Sequence, residues 1–226
     1  QASSSAASDV YKRQPAIYIE FLSKLIKNIP ISIGGQNCHH ESFGAFTGEI
    51  SAISLKEFGC DYVILGHSER RIYNKETNES IKKCAQFGIK SSLSPIICVG
   101  ENLDQRENGK AIDFIEKQIT DCLPEDFNEL TIAYEPIWSI GTGKIPLQSE
   151  IKEMHKKIKE IVFSKSKKNV KVLYGGSVNE KNIQEILSVN NVDGVLVGGA
   201  SLKIKDFLAI YGSAVKHLKK IIKFKD

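Results

Sequence analysis

From Pro15 onward the chain alternates short, nearly unbroken apolar runs with longer stretches in which apolar residues recur every three or four positions. The short runs, at 31–37, 61–65, 95–99, 130–134, 171–174 and 194–197, predict strands. The longer ones, at 17–27, 78–87, 111–122, 148–163, 180–187 and 204–222, carry the 3.6-residue period of amphipathic helices. Strand, crossover helix and strand in repetition form a parallel sheet, and strands with little internal alternation are buried on both faces. Two closures fit this pattern, an open doubly wound sheet and a (β/α)8 barrel. The pattern shows six strands where a barrel has eight, so spacing alone leaves the choice open.

Residues 1–14, QASSSAASDVYKRQ, are small and polar without periodicity. They are expected to stand apart from the fold as an anomalous segment foreign to it or, alternatively, as a disordered tail, with residues 15–226 forming one barrel domain. A chain of 226 residues is long enough for one large core. Its longest apolar runs fall well short of the roughly 20 residues that a membrane helix needs.

Charge changes the picture little. Thirty-one Lys and Arg against 27 Asp and Glu give a net +4, concentrated near 165–171 and 216–225. No aromatic side chains are interleaved with those lysines as a nucleic-acid recognition element would require, so the runs read as solvated helix faces. A mild positive balance favours an anionic metabolite. The five cysteines have neither zinc-site nor paired-disulfide spacing, which points to a reducing, cytoplasmic setting and to no metal. His39 and His40 could suggest a metal, but no ligands accompany them in sequence, and an exposed loop pair is the simpler reading.

The unusual residues fall where the strands end. GHSERR follows Leu65, GE follows Val99, EPIW follows Tyr134, GGS follows Tyr174 and GGAS follows Val197. In a barrel this C-terminal rim is where catalytic groups gather.

Taken in order, VILGHSERR (63–71), PIICVGE (95–101), AYEPIWSIGTGK (133–144), YGGSV (174–178) and LVGGASL (196–202) resemble the triosephosphate isomerase family over residues 15–226. The resemblance implies a (β/α)8 barrel, apparently lacking its first one or two strands. It implies an enzyme, an aldose–ketose isomerase of glycolysis and gluconeogenesis, that interconverts dihydroxyacetone phosphate and glyceraldehyde 3-phosphate through an enediolate without metal or cofactor. A phosphate-binding barrel protein with another reaction, or with none, is the alternative.

By resemblance Glu135 is the base, since a carboxylate that loses water strengthens as a base; a helix cap or ion pair is its plain alternative. His67, before a helix start, takes the role of a neutral imidazole polarising the carbonyl, for which this family is itself the familiar example. Glu69 resembles the third active-site carboxylate, or else simply pairs with Arg70 or Arg71.

The segment 139–144 resembles the phosphate-gripping lid, with Ile140 and Gly141 in it, hinged at 136–138 and 144–146. Ser177, Gly198 and Gly199 follow the last two strands, where bare N–H groups can meet a phosphate. Ile140 and Leu196 form an apolar clamp over Glu135, with core packing an alternative for Leu196. Cys98 resembles a thiol near the site, or is an ordinary packed one. The stretch 44–49 resembles the loop inserted beside a neighbour's active site, so that a homodimer is expected with Thr47 at the contact; a helix cap is the alternative. The family's first strand supplies an Asn and a Lys, and no residue here is assigned to either.

Overall fold

The computed structural model describes residues 12–140, 142 and 144–223, with side chains placed within 15–217. Most of the anomalous amino-terminal segment (1–11) and Gly141 of the expected lid lie outside the described residues.

Seven parallel strands form one sheet in chain order: β1 (Lys12–Gln14), β2 (Ile33–Gly35), β3 (Cys60–Leu65), β4 (Ser94–Val99), β5 (Thr131–Tyr134), β6 (Lys171–Tyr174) and β7 (Gly194–Val195). Helices cover the connections: α1 (Ile19–Leu25), α2 (Ala52–Glu57), α3 (Ser68–Tyr73), α4 (Asn78–Lys90), α5 (Leu103–Glu107), α6 (Ala111–Cys122), α7 (Gln148–Ser166), α8 (Ile183–Leu187) and α9 (Ile204–Lys223).

All six expected strands are present, several of them shorter than the apolar runs that announced them. The seventh, β1, pairs with β2 residue for residue, Lys12 with Ile33 through Gln14 with Gly35. Its KRQ sequence carries no apolar pattern, and three backbone rungs alone make it a strand. The boundary expected at residue 15 therefore falls just after an element of the sheet.

Local chemistry sets the helix limits. Thr77 and Ser80 exchange side-chain-to-backbone hydrogen bonds of 3.1 and 3.0 Å at the start of α4, satisfying two amides that the first turn leaves free. Helix α7 stops at Lys167, whose φ of 60° is left-handed.

Alternate residues of each strand enter different cores. Val63, Leu65, Ile97, Val99, Ile132, Tyr134, Val172 and Tyr174 face the helices in the larger cluster. Ile64, Ile96, Cys98, Ala133, Leu173 and Leu196 form a separate small cluster on the other face. A parallel sheet with helices on one face and a second, narrow core on the other is a barrel wall, and that decides between the two closures. Among the described residues no ladder joins β7 to β1, so the barrel stands one strand short of eight.

One buried titratable group sits between helix and sheet. His155 of α7 is fully buried, edge-on to Tyr134 at 5.8 Å and stacked on Tyr174 at 6.4 Å, with Nδ1 3.3 Å from the Asn191 carbonyl. Burial pushes its pKa down to about 3. The unfolded chain binds a proton near pH 6.5 that the folded chain refuses until far lower pH, so stability declines as pH falls from about 6.5, by up to about 1.4 kcal/mol per unit. Replacing His155 by Phe should flatten that decline between pH 6 and 4 in urea unfolding; a slope equal to the parent's would clear His155 of the effect.

Candidate active site

Each motif singled out at a strand end lies on the rim, and most of them border one cleft of about 1070 Å³. His67, Glu69, Glu135, Ile140, Ser177, Leu196, Gly198 and Gly199 all line it. Thr47 does not; it is exposed on the loop between β2 and α2.

The turn out of β3 requires Gly66, whose φ of +68° is left-handed and whose missing Cβ would meet Ile81 at 2.6 Å. That turn delivers His67 as the cap of α3. Its Nδ1 accepts the Glu69 N–H at 3.3 Å, which leaves the proton on Nε2. Nε2 lies 3.0 Å from Glu135 Oε1. The ring is thus a neutral donor aimed at the carboxylate.

Glu135 leaves β5 with 2% of its surface exposed. Its Oε2 accepts the Ser68 N–H at 3.0 Å, so the start of α3 binds both the imidazole and the acid. Burial raises its pKa above the ordinary carboxylate value, and the raise is offset in part by His67, the Ser68 amide, Cys98 and Arg71. Backbone packing leaves no room for side chains around it: a Cβ on Gly100 would lie 1.8 Å from the Glu135 carbonyl, and one on Gly175 would meet Glu135 Cγ at 3.0 Å. Cys98 is fully buried, and its thiol hydrogen-bonds to Glu135.

Glu69 borders the cleft through a largely exposed side chain. Its side chain is 75% exposed and its Oε2 stands 3.9 Å from His67 Nδ1, so its backbone N–H makes the closer approach. Neither neighbouring arginine pairs with it. Arg70 binds Glu76 at 2.6 Å, and Arg71 binds carbonyls and an amide. Leu196 is in the narrow barrel core, as the packing alternative foresaw, and also lines the cleft.

Glu101 stood out little from the amino-acid pattern. It is fully buried, and its Oε1 accepts from Arg106 at 2.8 and 3.0 Å, from the Tyr134 hydroxyl at 3.0 Å and from the Trp138 indole at 3.0 Å. The acid of PIICVGE therefore anchors Trp138, in the segment expected to hinge a lid. Only its place after a strand marked it out. Ser139, also fully buried, presents its carbonyl to the Ser177 hydroxyl at 2.6 Å and so ties the segment after β5 to the loop after β6. Gly176 belongs to this packing, since a Cβ there would lie 2.2 Å from the Tyr174 hydroxyl and 2.7 Å from Ser139 Oγ. Around Gly198 and Gly199, by contrast, a Cβ would meet open space, and a short 3-10 turn, Gly199–Leu202, begins there.

Residues 1–214 match the family model described as triosephosphate isomerase. A triosephosphate isomerase of Cytophaga hutchinsonii is 45% identical over 204 residues, 87% of this chain and 81% of that protein. One of Lactobacillus helveticus is 46% identical over the same shares. The crystal structure of triosephosphate isomerase from Bartonella henselae superposes with a TM-score of 0.84 at 34% identity, over 94% of this chain and 93% of its own. The chain belongs to the triosephosphate isomerase family.

The triosephosphate isomerase match begins at residue 1 and so takes in the polar segment that pattern alone set apart. It also accounts for the barrel wall and for the order of the rim motifs.

The buried carboxylate has a thermodynamic consequence. With its folded pKa raised, Glu135 holds a proton that the unfolded chain releases earlier, so it costs stability as pH rises through that window, and the cost is fully present above it. Glu135→Gln removes the charge and keeps one acceptor oxygen, its NH2 facing the donor that met the other. Relative to the parent, its melting temperature should rise from pH 4 to pH 8; a difference that does not change with pH would contradict the burial cost.

Proposed function

We propose that this chain is a triose-phosphate isomerase, interconverting dihydroxyacetone phosphate and glyceraldehyde 3-phosphate by moving one proton between adjacent carbons. The observation that carries the reading is the buried Glu135 carboxylate meeting a neutral His67 Nε2–H at 3.0 Å across the rim. A carboxylate with raised proton affinity suits abstraction of a weakly acidic proton beside a carbonyl, and a neutral N–H donor suits the oxygen on which charge then develops. Glu135 takes the proton from one carbon, His67 gives its Nε2 proton to the carbonyl oxygen and recovers one from the neighbouring hydroxyl, and Glu135 returns its proton to the neighbouring carbon. The two groups are bonded to each other in the free chain, so substrate takes the place of that bond.

The phosphate end is assigned to Ser177, Gly198 and Gly199, where open backbone and the turn at Gly199–Leu202 offer N–H groups to an anion. Ile140 and Leu196 supply apolar cover, and Gly141 belongs to the lid by resemblance. Glu69 supports His67 through its amide. Excluding water at lid closure shields the intermediate and strengthens these contacts.

We also propose a homodimer in the cytoplasm. Phe43, Phe46, Ile50 and Ile53, within six residues of Thr47 along the chain, are exposed apolar side chains that a second copy would cover. All five cysteines are free and four are buried, which suits a reducing compartment. No helix among the described residues is long and apolar enough to cross a membrane.

Coupled turnover of glyceraldehyde 3-phosphate tests the chemistry. Glu135→Gln should lower kcat by about 10² to 10⁴, the usual worth of a general base, while affinity for a phosphoglycolate-like anion persists; retention of half the activity would remove Glu135 as base. Sedimentation tests the assembly. The parent should run as a dimer and a Phe43→Asp, Thr47→Arg double variant as a monomer. A parent that is monomeric at micromolar concentration would end the dimer proposal.

A further inference from the structure

One cation near the site is committed to neutral partners. Arg71, half-buried in α3, donates from Nε to the Gly66 carbonyl at 2.7 Å and from one terminal nitrogen to Asn78 Oδ1 at 2.7 Å. The other terminal nitrogen reaches the Cys98 carbonyl at 3.0 Å and Cys122 Sγ at 3.6 Å. Among the described residues no carboxylate lies within salt-bridge distance of it, whereas its neighbour Arg70 is fully engaged with Glu76. A guanidinium whose fork is filled by carbonyls, an amide and a thiol keeps its charge unneutralised.

The two carbonyls are the telling partners. Gly66 is the residue before His67, at the end of β3, and Cys98 is on β4 with its thiol bonded to Glu135. The planar fork therefore bridges two strand ends that carry the two proposed reacting groups. The missing Cβ of Gly66 leaves room for it, since a Cβ there would sit 3.0 Å from the Arg71 terminal nitrogen.

We infer that Arg71 is a positioning residue of this site: its fork fixes the His67 turn against the strand beside Glu135, and its uncompensated charge favours the ionised, proton-accepting form of that carboxylate. The inference rests on the reading of Glu135 as base and His67 as donor. It separates two duties, geometry through four hydrogen bonds and electrostatics through one charge. Among the described residues, His67, the Ser68 amide, Cys98 and Arg71 favour the ionised Glu135, and of these Arg71 alone is a fixed cation, held one strand away by the Cys98 carbonyl.

The duties divide among three variants. Arg71→Met removes both, Arg71→Lys keeps the charge without the fork, and Asn78→Ala keeps the arginine but frees one of its nitrogens. The Glu135 carboxyl is followed by 13C NMR on glutamate-labelled protein, its signal assigned by its loss in Glu135→Gln, alongside kcat and KM. Arg71→Met should move the carboxyl midpoint upward by about half a pH unit or more, the lower range for loss of a nearby charge. Arg71→Lys and Asn78→Ala should leave the midpoint with the parent but lower kcat, by up to about 10²-fold for a misplacement near 1 Å, with KM little changed. A midpoint in folded Arg71→Met equal to the parent's overturns the electrostatic duty. Should Arg71→Met fail to fold by near-UV circular dichroism, a Lys variant titrating far from the parent overturns that duty instead. Parental kcat in both Arg71→Lys and Asn78→Ala overturns the positioning duty. Full turnover by Glu135→Gln would sink the reading of the base itself, and the NMR comparison would still report whether Arg71 acts on that carboxyl.

Discussion

A parallel sheet buried on both faces has nowhere to keep polar chemistry except at the ends of its strands. Here the outward residues, such as Val63, Ile97, Ile132 and Val172, are spent on the helices, and the inward ones, such as Ile64, Ile96, Ala133 and Leu173, on a narrow second core. Glu135 and His67 stand one and two residues beyond the ends of their strands, at the first positions that packing leaves free. The same constraint buries Glu135. The wall that carries Glu135 also excludes water from it, so its raised proton affinity follows from where the strand ends.

That placement explains what the amino-acid pattern disclosed. Apolar runs such as IICV and TIAY announce themselves because burial on both sides demands them, and the glycine and polar residues that follow mark the rim. His67 and Glu135 could be found for that reason. The strand at Lys12–Gln14 could not, because three backbone pairings make it and its side chains follow no period. Short helices such as Ala52–Glu57 and Leu103–Glu107 were equally hidden, being too brief for a 3.6-residue period to emerge.

Residues that act through others were the hardest to read. Glu101, Ser139 and Arg71 form their bonds with partners far away in sequence, and a carboxylate or guanidinium destined for a fold's interior looks in sequence like any surface charge. Glu69 is the converse case. Its motif suggested a carboxylate in the chemistry, whereas its amide lies nearer the imidazole than its acid does. Sequence names the residue but not which of its atoms is employed.

The crowded oxygen of Glu101 bears on what a displacement of Trp138, in the proposed lid, would cost. Because Arg106 and Tyr134 hold that oxygen independently of Trp138, swinging the indole away removes one donor and strands no buried charge. The toll is then that of a single hydrogen bond, about 1 kcal/mol, where undressing a lone buried carboxylate would cost several times more. Redundancy at Glu101 thus means that freeing Trp138 would break one hydrogen bond and leave the carboxylate's other partners in place.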